Sequence, residues 1–136
     1  VSFFAENFVC KKNPTKILYS VKSNPDAQVL KHLYDFGVRH FDVASLNEIK
    51  LIAGLFGDKV KMYFMHPIKS PEAISQAYFD YNIRDFSLDC FDELEKILKA
   101  TNQAKDFYFR VKSYEKVWLL FDISSGIHYY VHEKDS

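Results

Sequence analysis

The sequence predicts an α/β fold, specifically a partial (β/α)8 TIM-like barrel in which about five parallel strands alternate with helices. Short runs of β-forming residues alternate with amphipathic helical stretches, which implies parallel strands joined by right-handed crossovers. The carboxyl ends of the five runs fall near residues 22, 44, 65, 89 and 110, at even intervals of 21 to 24 residues. A closed barrel needs about 250 residues, whereas this chain has 136. We therefore expect part of a barrel.

An open, doubly wound sheet would show the same alternation of strands and helices. That fold commonly carries a G-x-G-x-x-G loop after its first strand. This chain contains no such motif and only four glycines. The partial barrel is therefore the preferred prediction.

The individual elements follow from periodicity and from start and stop signals. Strands are predicted at residues 17–22, 40–45, 60–65, 85–89 and 106–112. Helices are predicted at residues 26–36, 46–56, 70–81 and 91–100. Gly37 and Gly57 close the first two helices. Ser70 is expected to cap the third, with Pro71 at its first position, where a missing N–H is harmless.

The regular alternation fails after Lys112. Residues 113–136 are predicted to form an atypical C-terminal tail of two short strands around residues 124–126, without a helix. His128 and His132 are four residues apart, a spacing that would suit a metal ion on a helix. The intervening Tyr-Tyr-Val run favours a strand, and no third ligand is evident, so no metal is predicted.

The overall composition excludes partners that need a strong electrostatic field or a long apolar segment. Eighteen basic residues balance eighteen acidic ones, and 48% of the chain is hydrophobic. We therefore expect a globular, cytoplasmic domain that binds neither nucleic acid nor a membrane. Cys10 and Cys90 form no CxxC pair and are predicted to be small buried hydrophobes. The chain opens at Val1, not at Met, in an apolar helix-like pattern, so we expect further sequence upstream.

Polar residues follow the strands where the site of a βα fold should lie. In parallel βα folds the active site forms at the carboxyl ends of the strands. The residues found there are Lys22, Asp42, Ser45, His66, Asp89 and Arg110. Lys22 leaves an apolar run, so burial would lower its pKa and favour the neutral amine that attacks a carbonyl group. The competing interpretation is a solvated charge at the strand end.

Two motifs give Lys22 a specific context. The run I-L-Y-S-V-K-S-N-P-D, followed by F-D-V-A-S-L-N-E-I, resembles the barrel domain of the pyridoxal-phosphate-dependent decarboxylases of the alanine racemase fold type, above all the ornithine and lysine/ornithine decarboxylases. The stretches M-H-P-I-K-S, A-Y-F-D-Y-N-I-R-D-F-S-L-D and D-E-L-E-K-I continue the likeness. The resemblance covers residues 1–112, which it identifies as a partial pyridoxal-phosphate-binding barrel domain.

The resemblance implies a fragment of a decarboxylase, a lyase of polyamine biosynthesis that acts on a basic amino acid. Ornithine, giving putrescine, is the expected substrate, with lysine, arginine and diaminopimelate left open. A homodimer is expected for the full-length protein. The family's glycine-rich phosphate loop and C-terminal β-domain do not occur in these residues, so we expect the isolated chain to be inactive or nearly so. The alternatives are a non-catalytic decarboxylase-like regulator and a simple pyridoxal-phosphate-binding barrel.

The resemblance also assigns roles to named residues. Lys22 matches the family's Schiff-base lysine and is the expected catalytic residue. Asp42 and Glu48 match carboxylates that support the site electrostatically. Arg110 matches an arginine that lies beneath the cofactor and pairs with those carboxylates. Ser20 takes a place beside the cofactor ring that the family usually fills with alanine.

Each supporting residue also has a plain structural interpretation. Asp42 could cap the loop at its strand end, and Glu48 could be a solvated residue in the first turn of a helix. Arg110 could form a structural ion pair with Asp89. His66 precedes a proline and is interpreted as a satisfied polar residue at a turn, so it receives no catalytic role.

Overall fold

The structure, a computed structural model, describes residues 17–112, 117–122 and 126–132, with side chains described for residues 17–110. The strands are β1 (Leu18–Ser20), β2 (His40–Val43), β3 (Lys61–Phe64), β4 (Asp85–Leu88), β5 (Tyr108–Lys112), β6 (Val117–Asp122) and β7 (Gly126–His132). The helices are α1 (Ala27–Asp35), α2 (Leu46–Phe56), α3 (Pro71–Phe79) and α4 (Phe91–Ala100). Cys10 and the apolar pattern that opens the chain lie outside the described residues.

Side-chain caps fix where helices begin. The Asp26 carboxylate accepts hydrogen bonds from two amides in the first turn of α1, at 2.8 and 3.2 Å. Ser70 Oγ accepts from the Ala73 amide at 3.1 Å, and Pro71 occupies the first helical position of α3. These oxygens satisfy amides that have no partner inside the helix. The predicted cap at Ser70 is therefore confirmed.

A first compact unit extends to residue 62 and contains β1 and β2 as a parallel pair. The register aligns Tyr19 with Phe41 and Ser20 with Asp42. Phe41 is fully buried, and its ring stacks on Phe56 of α2 at a centroid distance of 5.6 Å. Because side chains alternate along a strand, Ser20 and Asp42 share the face opposite to the helix-packed Phe41.

The second compact unit begins at residue 63. In it β4 pairs in parallel with β3 and β5, and an antiparallel hairpin of β6 and β7 follows along β5. Phe86 aligns with Phe109, and the buried ring of Phe107 packs edge-on against Phe86 at 5.9 Å. Ser87 aligns with Arg110 on the opposite face.

An arginine stacks on a tyrosine at the turn before β2 and again at the turn before β4. The Arg39 guanidinium lies 3.6 Å from the centre of the Tyr34 ring and donates to the Tyr34 carbonyl at 2.6 Å. The Arg84 guanidinium lies 3.8 Å from the centre of the Tyr78 ring and donates to the Tyr78 carbonyl at 2.9 Å. Each arginine thus satisfies a carbonyl at the end of one helix and fixes the start of the next strand.

The α/β alternation is confirmed, and α2 and α4 have the predicted bounds. The first strand is shorter than predicted because it ends at Ser20 and Val21–Ser23 form a 3-10 turn. The two predicted strands of the tail are present, and β7 contains both His128 and His132. The domain boundary at residue 112 stays a prediction. Within the described ranges, no helix is long and apolar enough to cross a membrane.

Candidate functional site

Lys22 lies just beyond the carboxyl end of β1, in the 3-10 turn Val21–Ser23. Val21 is fully buried, whereas Lys22 is exposed, because consecutive residues of such a turn point about 120° apart. The expected burial of Lys22 is therefore wrong for the described residues, since Val21 takes the inward position. The exposed amine is accessible to a carbonyl compound at the end of the strand.

Ser20 and Asp42 lie side by side at the carboxyl ends of β1 and β2. The Ser20 hydroxyl oxygen is buried and makes no hydrogen bond to any described residue. Buried polar atoms nearly always have a partner, so this hydroxyl suits a polar ligand. Asp42 is half-buried and adds a carboxylate to the same face. These two residues and the adjacent Lys22 fit a polar aldehyde cofactor such as pyridoxal phosphate.

Glu48 forms a capping box at the start of α2. Its carboxylate accepts from the Ala44 amide at 3.3 Å and from the Ser45 hydroxyl at 3.2 Å, while Ser45 Oγ accepts from the Glu48 amide at 3.2 Å. The S-x-x-E pattern at residues 45–48 is the sequence signature of this motif. Glu48 lies in the first turn, as its structural interpretation expected, but that interpretation is wrong on exposure, because the side chain is half-buried and hydrogen-bonded. Its role beside a cofactor stays a prediction.

Arg110 belongs to the second unit, on β5. Its side chain is half-buried, and its guanidinium lies 5.0 Å from the centre of the Tyr63 ring. Its register neighbour Ser87 is 1% exposed. Among the described side chains no ion pair joins Arg110 to Asp89, so that alternative interpretation is wrong.

His66 and Cys90 occupy turns at the carboxyl ends of β3 and β4. His66 Nδ1 lies 2.6 Å from the Ile68 carbonyl oxygen and 3.2 Å from the Ile68 amide nitrogen, so it has a backbone partner in either tautomer. The interpretation of His66 as a satisfied polar residue at a turn is confirmed. Cys90 is exposed, so its predicted burial is wrong. It stands at the N-cap position of α4, outside the packed face of that helix.

Sequence reasoning missed a buried charge cluster between the loop after β3 and helix α4. The side chain of Lys69 is fully buried, and its amine donates to the carbonyls of His66, at 2.7 Å, and Ser87. It also lies 3.0 Å from a carboxylate oxygen of Glu93, which is 3% exposed. Glu93 accepts further bonds from the Lys69 amide at 3.1 Å and from the Lys96 amine at 2.7 Å. We call Lys69, Glu93 and Lys96 the buried lysine cluster.

Burial and the neighbouring charged groups have opposite effects on the pKa values of Lys69 and Glu93. Desolvation lowers the pKa of Lys69, and the adjacent Glu93 carboxylate opposes that effect. Burial raises the pKa of Glu93, but hydrogen bonds from Lys96 and Lys69 outweigh it and hold that pKa below its ordinary value. Three acceptors surround the Lys69 amine, which suits the three donors of an ammonium group.

In the first unit the structure brings Ser20, Lys22, Asp42 and Glu48 to the carboxyl ends of β1 and β2 and the turns that follow them. Arg110 belongs to the second unit. A parallel βα domain with an accessible lysine beyond its first strand, and acidic groups at the next strand, fits the class of α/β domains that bind a carbonyl cofactor.

The chain belongs to the family described as "Pyridoxal-dependent decarboxylase, pyridoxal binding domain", which matches residues 4–126. The sequence is 36% identical over 84 residues to lysine/ornithine decarboxylase of Selenomonas ruminantium, covering 62% of this chain and 21% of that protein. It is 45% identical over 51 residues to ornithine decarboxylase 2 of Drosophila melanogaster, covering 38% of this chain and 13% of that protein.

The fold is similar to that of lysine/ornithine decarboxylase from Vibrio vulnificus, solved in complex with cadaverine. The TM-score is 0.62 at 30% sequence identity, and the match covers 81% of this chain and 28% of that one. The chain therefore spans less than a third of each of these three relatives. The predicted family, the partial barrel and the pyridoxal cofactor class are confirmed. The roles of the individual site residues stay predictions.

Proposed function

We propose that this chain is part of a pyridoxal-phosphate-dependent decarboxylase of a basic amino acid and that Lys22 is its cofactor-binding lysine. The observation that carries the proposal is the turn Val21–Ser23, in which buried Val21 anchors the backbone while Lys22 stays exposed at the strand end. An amine held there can reach an aldehyde without any rearrangement of the core. Lys22 would hold the cofactor through its aldehyde group.

The neighbouring residues support this amine in distinct ways. Pyridoxal phosphate, when bound, supplies the electron-withdrawing ring that decarboxylation needs. The unpartnered Ser20 hydroxyl is available to donate a hydrogen bond to a ligand on its face of the sheet. Asp42 shares that face, and its carboxylate stabilises positive charge nearby. The capping box already restricts the Glu48 side chain, so an interaction with a ligand there would cost little further side-chain entropy.

We propose ornithine as the substrate and putrescine as the product. The Selenomonas and Vibrio relatives are lysine/ornithine decarboxylases, and the Drosophila relative is an ornithine decarboxylase. Ornithine is the amino acid common to all three names. The natural polypeptide is proposed to be a cytoplasmic homodimer in polyamine synthesis. Because the chain spans only 21% of the Selenomonas protein, this segment by itself is expected to bind cofactor weakly and to decarboxylate little or nothing.

The proposal is tested by titrating the natural polypeptide that contains this chain with pyridoxal phosphate. A lysine-bound pyridoxal phosphate gives an absorbance band at about 420 nm. Lys22→Ala should abolish the band, whereas the matched control Lys31→Ala, which removes an exposed lysine from α1, should retain it. A band that survives Lys22→Ala would refute the assignment. A band without carbon dioxide release from ornithine, lysine or arginine would favour the non-catalytic alternative.

A further inference from the structure

The buried lysine cluster ties three elements of the second unit together. Lys69 lies in the loop after β3, and its amine holds the carbonyl of Ser87 in β4. Its partner Glu93 lies in the first turn of α4. Lys96, one turn further on, donates to the Lys69 carbonyl at 2.9 Å and to Glu93 at 2.7 Å. Hydrogen bonds therefore link the loop, the end of the strand and the start of the helix to one another.

Arg110 is aligned with Ser87, the β4 residue whose carbonyl accepts from the Lys69 amine. Ser87 aligns with Arg110 in the register of β4 and β5, and the Arg110 guanidinium lies 5.0 Å from the centre of the Tyr63 ring. Tyr63 belongs to β3, on the other side of β4. The Arg110 guanidinium from β5 and the Tyr63 ring from β3 thus meet on the face of the sheet that carries Ser87. Ser87, on that face, has a small side chain and is only 1% exposed.

Backbone pairing holds Ser87 against Arg110 of β5, but the described pairing between β3 and β4 stops before Ser87. The described register of β3 with β4 aligns Phe64 with Phe86, one residue before Ser87. Pro67, in the loop that follows β3, has no N–H with which to continue the ladder. The Lys69 amine donates to the Ser87 carbonyl just beyond that point. The Lys69 side chain therefore ties β4 to the loop after β3 at the point where the described β3–β4 pairing stops.

We propose that Lys69 is a positioning residue for Arg110: by tying β4 at Ser87, the register neighbour of Arg110, to the loop after β3, it sets how the Arg110 guanidinium meets the Tyr63 ring. The positioning itself is a property of the second unit. Its importance for activity rests on the proposed function and on the role beneath the cofactor that the family resemblance implies for Arg110.

Stability alone is a weak reason for burying these charges. The desolvation of a buried ion pair commonly offsets its attraction, and replacing both partners by apolar residues of similar size is often neutral. An ammonium group with three acceptors holds its carbonyl partners in one arrangement, which apolar packing does not specify as narrowly. The cluster is therefore better suited to fixing geometry than to adding stability.

The test compares two lysine substitutions in the natural polypeptide. Lys69→Met/Glu93→Leu removes both buried charges together, so that neither is left unpaired. The matched control is Lys99→Met, which makes the same change at an exposed lysine of α4. Glu93→Gln, which keeps the size of the side chain, serves as a second variant if the double variant does not fold. Far-UV circular dichroism and urea unfolding establish folding for each.

The decisive measurement is the NMR shift of the Arg110 Nε–H group, which the ring current of Tyr63 displaces. Tyr63→Leu defines the shift that Arg110 has without the ring. The double variant should move the shift most of the way to that value, Glu93→Gln should move it part of the way, and Lys99→Met should leave it unchanged. An unchanged Arg110 shift in the folded double variant, or in folded Glu93→Gln when the double variant does not fold, overturns the proposal.

Cofactor affinity then reports whether the positioning matters for the site. The double variant should bind pyridoxal phosphate about tenfold more weakly or worse, as expected when a binding group is displaced by around an ångström. Lys99→Met should bind like the wild type. If the wild type binds no cofactor, the proposed function fails, while the Arg110 shift still decides the role of Lys69.

Discussion

At the scale of single residues, Val21 packs into the core, whereas its neighbour Lys22 presents an accessible amine. Val21 is fully buried and Lys22 is exposed, so one 3-10 turn anchors the backbone and presents an amine at the same time. The sequence identified Lys22 but not its exposure, because an apolar run before a lysine does not reveal where the strand ends. The strand ends two residues early, at Ser20. In the 3-10 turn that follows, side chains no longer alternate between two faces, so the strand pattern does not predict the direction of Lys22.

The Glu93 carboxylate is expected to make the free energy of unfolding depend on pH in the acid range. Its pKa is lowered in the folded protein, so the unfolded state binds more protons as the pH falls, and the free energy of unfolding decreases through that window. Glu93→Gln should therefore flatten the loss of stability between about pH 5 and about pH 3. Urea unfolding at several pH values measures this slope. Asp92→Asn, an exposed acid in the same turn, should keep the wild-type slope; equal slopes for Glu93→Gln and the wild type would contradict the pKa assignment.

At the scale of elements, the helices were predictable because their signals are local. Asp26 and Ser70 stand directly before the helices that they cap, and the capping box of α2 lies within residues 45–48. The buried lysine cluster was not predictable in this way. Lys69 and Glu93 are 24 residues apart, and no local pattern marks two such residues as partners. The exposure of Cys90 was missed because its N-cap position lies outside the helical periodicity.

The capping box gives a prediction for α2. Ser45→Ala should lower the free energy of unfolding by about 1 kcal/mol, because the first-turn amide of Glu48 loses its acceptor. Asn47→Ala, at an exposed position of the same helix, should change it by less than about 0.5 kcal/mol. Urea unfolding compares the two variants. In a double-mutant cycle, Ser45→Ala and Glu48→Ala should be non-additive, since the two side chains bond to each other; full additivity would exclude the box as a stabilising unit.

At the scale of the molecule, the missing G-x-G-x-x-G motif and the chain length favoured a partial barrel over an open doubly wound sheet, and the even spacing of strand ends indicated one repeated βα unit. The polar residues at those ends could be placed for the same reason. What spacing could not give is the arrangement of side chains within each unit, such as the meeting of Arg110 and Tyr63 on the face that carries Ser87. That arrangement depends on register and on residues distant in sequence.

The aromatic core predicts which large residues carry stability. Phe107 is fully buried and contacts Tyr78, Phe86 and Phe109, at centroid distances from 5.3 to 5.9 Å. Phe107→Ala should cost about 3 to 5 kcal/mol, a large part of the total for a domain of this size. Phe36→Ala, at a side chain that is 72% exposed, should cost less than about 0.5 kcal/mol. Thermal and urea unfolding would contradict this account of the core if the two losses were similar.

The identity of the lysine that bonds the cofactor is the claim on which the functional account depends, and it can be measured directly. Borohydride reduction of the pyridoxal phosphate complex converts the lysine linkage into a stable secondary amine, which peptide mass spectrometry locates. The predicted result is a single phosphopyridoxyl group on Lys22. Labelling of Lys31 and other exposed lysines to the same extent as Lys22, or a label that leaves Lys22 unmodified, would contradict the account.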